Sequence, residues 1–396
     1  MIFIRRFITN IYVYVKMLCM LLHKKEENKR ILLIIDGLIG DIVLVQDFLK
    51  ECNRYLHEEK GYSVDLFFSK SFVKEFYLEC CEIYDLNVLD ICFEKKNTEL
   101  LDMMRVLHYF KNKKYEYVLN PLPKHKGDKL VGCINGKYKL AVRDDMIIKG
   151  RRISNLFRRL AYSDTIVVDK TEMEFCRFKR IMSFLGDCEY KTGIPVIKKE
   201  SCFKYAKFYC VFAVGASEAG KKYAKDRFVA LANYIEKMTD LTIIFVGAKS
   251  DLEDTEYIIG KVHAEGRTIN LTGKTNYQEW VNIIASARFV IGNDSASVHI
   301  AAATGVKAIC IVGKWQYKRF YPYILDIADK NIPVPIFCET KLPCENCGKV
   351  IDLMPNSSCK MTLTNHKSYD CVAEIRVEQI IEQIDVFLSE ITMPNN

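Results

Sequence analysis

Unbroken apolar runs alternate with amphipathic stretches along most of this chain. Residues 30–36, Arg-Ile-Leu-Leu-Ile-Ile-Asp, are apolar without a break between Arg30 and Asp36, the pattern of a strand buried on both faces of a parallel sheet. Gly37-Leu-Ile-Gly40 then makes a tight turn, and Asp41 opens a helix with Ile42, Val45, Phe48 and Leu49 on one stripe. Residues 64–68 read as the next strand, a helix runs through Phe72, Phe76 and Leu78, and 115–120 is again a strand. After Gly193-Ile-Pro195 and a lysine-rich link the rhythm restarts, with strands at 209–214, 242–246 and 289–291 and helices at 227–237 and 278–287. A short helix of small residues at 295–304 ends at Gly305, placed for a left-handed C-terminal cap, and 306–312 is one more strand. Val377, Ile380, Ile381, Ile384, Phe387, Leu388 and Ile391 repeat with the helical period and close the chain.

Strands alternating with helices predict an α/β protein of doubly wound, Rossmann-like domains. At 396 residues the chain suits two such domains rather than one core. The expected division is an N-terminal segment at 1–29, a first domain at 30–195, a second at 196–372 and a closing helix at 373–396. Ligands of doubly wound sheets bind outside the carboxyl ends of the strands. The turns at Gly37–Asp41 and Gly292–Ser297 both follow strands at that end, so they are expected to face one cleft.

Charge and cysteine content narrow the function. The net charge of +8 is spread over mixed signs, which argues against a dedicated nucleic-acid binder and suits an anionic substrate or membrane surface. Sixteen cysteines are many, but Cys52, Cys92, Cys210 and Cys310 sit inside apolar runs, so a reduced cytoplasmic setting is expected. In the tail, Cys344, Cys347, Cys359 and Cys371 leave two readings open, a structural zinc site or a loop of free thiols. Residues 7–22 are largely apolar between Arg5, Arg6, Lys24 and Lys25, too short to span a bilayer and without a cleavage site. An interfacial helix on an anionic membrane is favoured there over a helix docked on the protein. The basic segment 143–162, with Arg151, Arg152, Arg158 and Arg159, reads as a solvated amphipathic helix or as a surface toward a phosphorylated acceptor.

Four stretches carry candidate chemistry. Between Phe289 and Gly305 a strand meets a helix whose first turn holds Asp294, Ser295, Ala296 and Ser297, and bare amides at such a helix end bind phosphate. His299, one turn on, can face the same anion. The loop Gly215-Ala-Ser217-Glu-Ala-Gly220-Lys221 offers close backbone approach and a cation, but not the spacing of an ATP-hydrolysing P-loop. Thr275 is expected to cap the helix at 278, with Gln278 completing a capping box and the loop closing on a nucleotide as the secondary reading. Asp41 after Gly40 is either an ordinary helix-start carboxylate or a general base.

In this order these pieces resemble the glycosyltransferase family 9, the heptosyltransferase-like group of lipopolysaccharide assembly. The similarity runs from the opening Ile31–Val45 through Gly215-Ala-Ser with Lys221 to Leu271-Thr-Gly-Lys-Thr and Gly292-Asn-Asp-Ser-Ala-Ser-Val-His299, and spans roughly 30–390. It implies a GT-B fold of two Rossmann-like domains, with the last helix often crossing back onto the first. It also implies inverting, metal-independent transfer of a sugar from a nucleotide diphosphate sugar to a glycolipid or glycan acceptor at the cytoplasmic membrane surface, without a cofactor. By the same resemblance Asp41 is the catalytic base, Lys221 contacts the donor phosphates, and Asp294, Ser295, Ala296 and His299 form the nucleotide-sugar motif. The family's usual Asp-Thr-Gly-Pro-Met-His reads Asp294-Ser-Ala-Ser-Val-His299, which leaves the donor sugar open. Competing readings are a UDP- or GDP-sugar transferase on another acceptor, a non-catalytic nucleotide-sugar binder, and a dinucleotide oxidoreductase, the last disfavoured because no strand leads into G-x-G-x-x-G.

Overall fold

A computed structural model describes residues 2–21, 28–94, 99–122, 125–143, 160–167, 172–201, 204–263, 266–314, 320–327, 334–339 and 370–392. The chain forms two compact units, Met1–Thr192 and Gly193–Asn396, and this division falls three residues before the expected boundary.

The first unit is a parallel sheet of six strands in the order β3-β2-β1-β4-β5-β6. These are β1 (Arg30–Ile35), β2 (Ser63–Phe68), β3 (Asn87–Val88), β4 (Lys114–Asn120), β5 (Asn135–Arg143) and β6 (Asp164–Val167). Its helices are α1 (Ile2–Leu21), α2 (Ile39–Leu44), α3 (Gln46–Glu51), α4 (Ser71–Cys80), α5 (Glu99–Tyr109), α6 (His125–Cys133) and α7 (Glu174–Phe184). Ile31 to Ile35 of β1 are wholly buried, as the continuous apolar run requires of a central strand covered on both faces.

Of the two readings of the N-terminal segment, packing on the protein is observed: Val13 and Met17 of α1 are buried in a cluster with Met103, Val106 and Leu107 of α5 and Leu130 and Val131 of α6. The seat is Gly132, where an added Cβ would stand 2.7 Å from the Met17 side chain. Burial of one apolar stripe explains the docking, and periodicity alone could not say which surface that stripe would meet.

The second unit repeats the same plan. Its sheet order β12-β11-β10-β7-β8-β9 is the first unit's order written from the other edge. The strands are β7 (Tyr209–Ala213), β8 (Thr242–Phe245), β9 (Thr268–Asn270), β10 (Val290–Asn293), β11 (Ala308–Ile311) and β12 (Ile336–Cys338). The helices are α8 (Lys225–Met238), α9 (Leu252–Ile259), α10 (Tyr277–Ala285), α11 (Ala296–Thr304), α12 (Asp370–Ala373) and α13 (Val377–Thr392). Gly305 caps α11 at φ 77°, a left-handed conformation that a side chain would strain.

The closing helix is a correction. Expected to cross back onto the N-terminal domain, α13 buries Ile380, Ile384 and Phe387 in the second unit's own core, with Phe289, Phe228 and Ile235. Its partners are α8 and β12, and Phe387 lies 5.9 Å, centroid to centroid, from Phe289. The described residues contain no helix long and apolar enough to cross a membrane.

Candidate active site

In a sheet of this order the chain reverses direction beside its first strand, and the loops leaving the two strands at that point diverge to open a crevice. In the second unit those strands are β7 and β10. Asn293, the last residue of β10, fastens their ends together: its Nδ2 donates to the Val214 carbonyl at 2.6 Å, and its Oδ1 accepts from the Tyr223 amide at 3.0 Å. Asn293 is wholly buried, and both sides of its amide are used. The clamp brings the loop after β7, with Lys221, beside the first turn of α11.

Lys221 Nζ lies 3.0 Å from Asp294 Oδ2, and both residues are buried, at 7% and 9% exposure. Tyr321 donates its hydroxyl to the other oxygen, Oδ1. Burial pushes the Asp294 carboxyl up, but the Lys221 ammonium, the Tyr321 hydroxyl and His299 outweigh it and hold the group below the usual carboxylate range. Burial and the Asp294 charge together drive the Tyr321 hydroxyl well above its ordinary value, so it stays a donor. His299 lies close to Tyr321 and Tyr323, with ring centroids 5.7 and 6.0 Å away and planes 4° and 8° from parallel, and its Nδ1 meets the Tyr323 hydroxyl at 2.6 Å. Beside this cluster a cavity of about 240 Å³ is lined by Val312, Gly313, Tyr321, Pro322, Phe337 and Glu339.

Ser295 occupies the N-cap of α11 in extended conformation, yet its hydroxyl makes no capping bond. Its Oγ is buried without a hydrogen-bond partner. Buried hydroxyls normally find one, and this one sits at a helix end whose amides favour an anion. Ala296 and Ser297 form the first turn beside it, and Ser297 is buried. Small side chains here keep the backbone approachable.

Other expected positions fall differently. Ser217 is exposed in the loop after β7. Lys222, next to Lys221, is taken up by Asp251 at 3.1 Å and Asp254 at 2.8 Å, so only Lys221 serves the cluster. Thr275 is not the helix cap. Asn276 is, accepting from the Glu279 amide at 2.8 Å while the Asn276 amide donates to the Glu279 carboxylate at 3.1 Å. Thr275 with Gln278 and Asn276 with Glu279 both have the spacing of a capping box, and the second is formed while the Gln278 amide donates to Asn282 at 2.8 Å. Thr275 itself follows β9, the edge strand two places from β7. Cys344, Cys347 and Cys359 and most of the basic segment lie outside the described residues; Cys371 is buried. Tyr321, Tyr323 and Asn293 went unread as site residues, and the aromatic run Phe320-Tyr-Pro-Tyr323 is the one signal that pointed to them.

In the first unit Asp41 stands on α2 after β1, the strand at that unit's own reversal point. One carboxylate oxygen accepts from the Leu38 amide at 2.7 Å, which fixes the side chain against the turn. Gly37 makes room for it, since an added Cβ there would lie 2.8 Å from the Asp41 Cβ. Gly40 is itself within α2. Lys70 Nζ donates to the Gly37 carbonyl at 2.8 Å, and the buried Asp36 accepts from Ser69 Oγ and faces Lys70 at 3.6 Å. The turn that presents Asp41 is therefore braced from the end of β2.

Two Rossmann-like domains, one with an anion cradle at its reversal point, define a protein of GT-B architecture, the class of many sugar-transferring enzymes. Residues 187–329 match the family model described as glycosyltransferase family 9 (heptosyltransferase). The matched stretch contains Lys221, Asp294, Ser295 and His299. Over 314 residues the chain is 21% identical to lipopolysaccharide heptosyltransferase 1 of Campylobacter coli, covering 73% of this chain and 81% of that one. The fold is similar to a glycosyl transferase family 9 structure from Veillonella parvula, with TM-score 0.67 and 16% identity over 93% of this chain and 100% of that one. It is also similar to E. coli ADP-heptose lps heptosyltransferase II, with TM-score 0.63 and 16% identity over 92% and 100% of the two chains. A third similar structure is E. coli heptosyltransferase WaaC with ADP-2-deoxy-2-fluoro heptose, at TM-score 0.56 and 16% identity over 90% and 99%.

Proposed function

We propose that this enzyme transfers heptose, or a closely related sugar, from an ADP-type nucleotide diphosphate sugar to a lipopolysaccharide core acceptor on the cytoplasmic side, with inversion and without a metal. Inverting transfer is a single displacement at the anomeric carbon: the acceptor oxygen forms a bond, the bond to the diphosphate breaks, and the acceptor proton must leave. Asp41 is the base that takes this proton, acting late as the attacking hydroxyl becomes acidic. Lys221, the Ser295 hydroxyl and the first-turn amides of α11 receive the charge growing on the leaving diphosphate. Asp294, held by Tyr321, orients Lys221 and gives way to the donor phosphates.

The observation that carries this reading is the cradle at β7 and β10, a buried lysine beside a buried, unpartnered hydroxyl at a helix end. The neighbour solved with an ADP-heptose analogue and the name of the Campylobacter coli relative favour heptose and lipopolysaccharide. The test is transfer from a panel of ADP-, UDP- and GDP-sugars to heptose-deficient lipopolysaccharide, with and without EDTA. Turnover with ADP-heptose, unchanged by the chelator, is the expected result. Turnover only with a UDP- or GDP-sugar rejects the donor assignment, and loss with EDTA rejects the metal-free mechanism. Asp41→Asn should lower kcat by about a hundredfold or more and leave ADP binding intact; an unaffected kcat removes Asp41 from the reaction.

A further inference from the structure

The helix α1 is apolar on two sides, and docking uses only one. Thr9, Val13 and Met17 face the first unit and are buried. Ile8, Ile11, Val15 and Leu18, at 46%, 50%, 53% and 42% exposure, advance by three or four residues and so form one stripe on the opposite side. Neighbouring α5, against which α1 packs, adds Leu101 at 57% and Met104 at 42%, again three apart. Scattered exposed apolar residues need no explanation, but six on two adjoining helices do.

We propose that this outer face of α1 is a docking surface for an anionic lipid bilayer, with the helix lying flat and its Ile8–Leu18 stripe entering the boundary between headgroups and acyl chains. Charge selects the occupant. Residues 1–25 contain Arg5, Arg6, Lys16, Lys24 and Lys25 and no Asp or Glu. That bias complements an acidic surface and would repel a second copy of the same segment. Area points the same way: one row of half-exposed aliphatic side chains falls far short of the roughly 800 Å² per partner that a stable dimer buries. A bilayer needs no shape complementarity. Tyr12 and Tyr14, half-buried on the flanks of the stripe, present rings of the kind that sit at headgroup level. Docking on the protein and docking on lipid are thus carried by opposite faces of a single helix.

The experiment is co-sedimentation of the full chain with phosphatidylcholine vesicles with and without phosphatidylglycerol, read as bound protein with no sugar transfer involved. Binding to the anionic vesicles that falls with added salt is expected, with little on phosphatidylcholine alone. An Ile11→Glu/Val15→Glu double variant should bind at least about tenfold more weakly while melting as the parent does. Should that variant misfold, Val15→Trp gives an independent reading: the emission it adds over the parent should shift to the blue on addition of anionic vesicles. Parent protein left in the supernatant overturns the proposal, as does equal binding by the folded double variant or an unmoved emission from the Val15→Trp variant. A dimer in size-exclusion chromatography that the double variant dissolves, without vesicle binding by either, assigns the face to a second copy instead.

Discussion

Lys221 and Asp294 show how much one side chain depends on its partners. A buried ammonium and carboxylate at 3.0 Å neutralise one another, and removing either leaves the other uncompensated. Lys221→Ala should therefore weaken ADP binding by about tenfold or more in calorimetry; unchanged affinity would take Lys221 out of the donor site. Because Asp294 sits below its ordinary value, it contributes stability that is fully present above the unfolded carboxylate pKa and is lost as pH falls through the lower folded value. Asp294→Asn should flatten the acid side of a melting-point profile taken from about pH 3 to about pH 6; an unchanged acid limb contradicts the assignment. The sequence exposed Lys221, Asp294, Ser295 and His299 because they sit in two short runs after strands. Tyr321 and Tyr323 were hidden, because they come from a loop beyond β11 and no periodicity ties them to His299, 22 and 24 positions away.

At the level of elements, the sequence says that a stripe is buried without saying against what. The apolar positions of α13 were plain, yet its expected partner was the wrong domain. Ile380, Ile384 and Phe387 complete the core formed by β10 and α8 instead. Ile384→Ala should cost about 2–5 kcal/mol in denaturant unfolding of the second unit, since the site is walled on all sides; a loss under about 0.5 kcal/mol would mean the helix is only loosely applied. Caps obey the same limit. Thr275 with Gln278 and Asn276 with Glu279 are both acceptable by type and spacing, and only the fold decides between them. The short edge strands β3, β9 and β12, of two to three residues, carry too few positions for alternation to register.

Across the molecule, the rhythm of strand and helix was legible because β1, β7, β8 and β11 are nearly continuous apolar runs. What it could not supply is the order of those strands, which puts β1 and β7 each at a reversal point and so gives Asp41 and Lys221 equivalent places in their units. On the proposed reading ADP binds only the folded second unit, so saturating ADP should raise that unit's melting temperature by a few degrees while NAD does not; an equal rise with NAD would argue for a dinucleotide site. Gly132 matters on this scale as well. Position 132 has no side chain, and Met17 fills the space that one would take. An alanine there would push aside the flexible thioether end of Met17 and loosen the contact that seats the first helix.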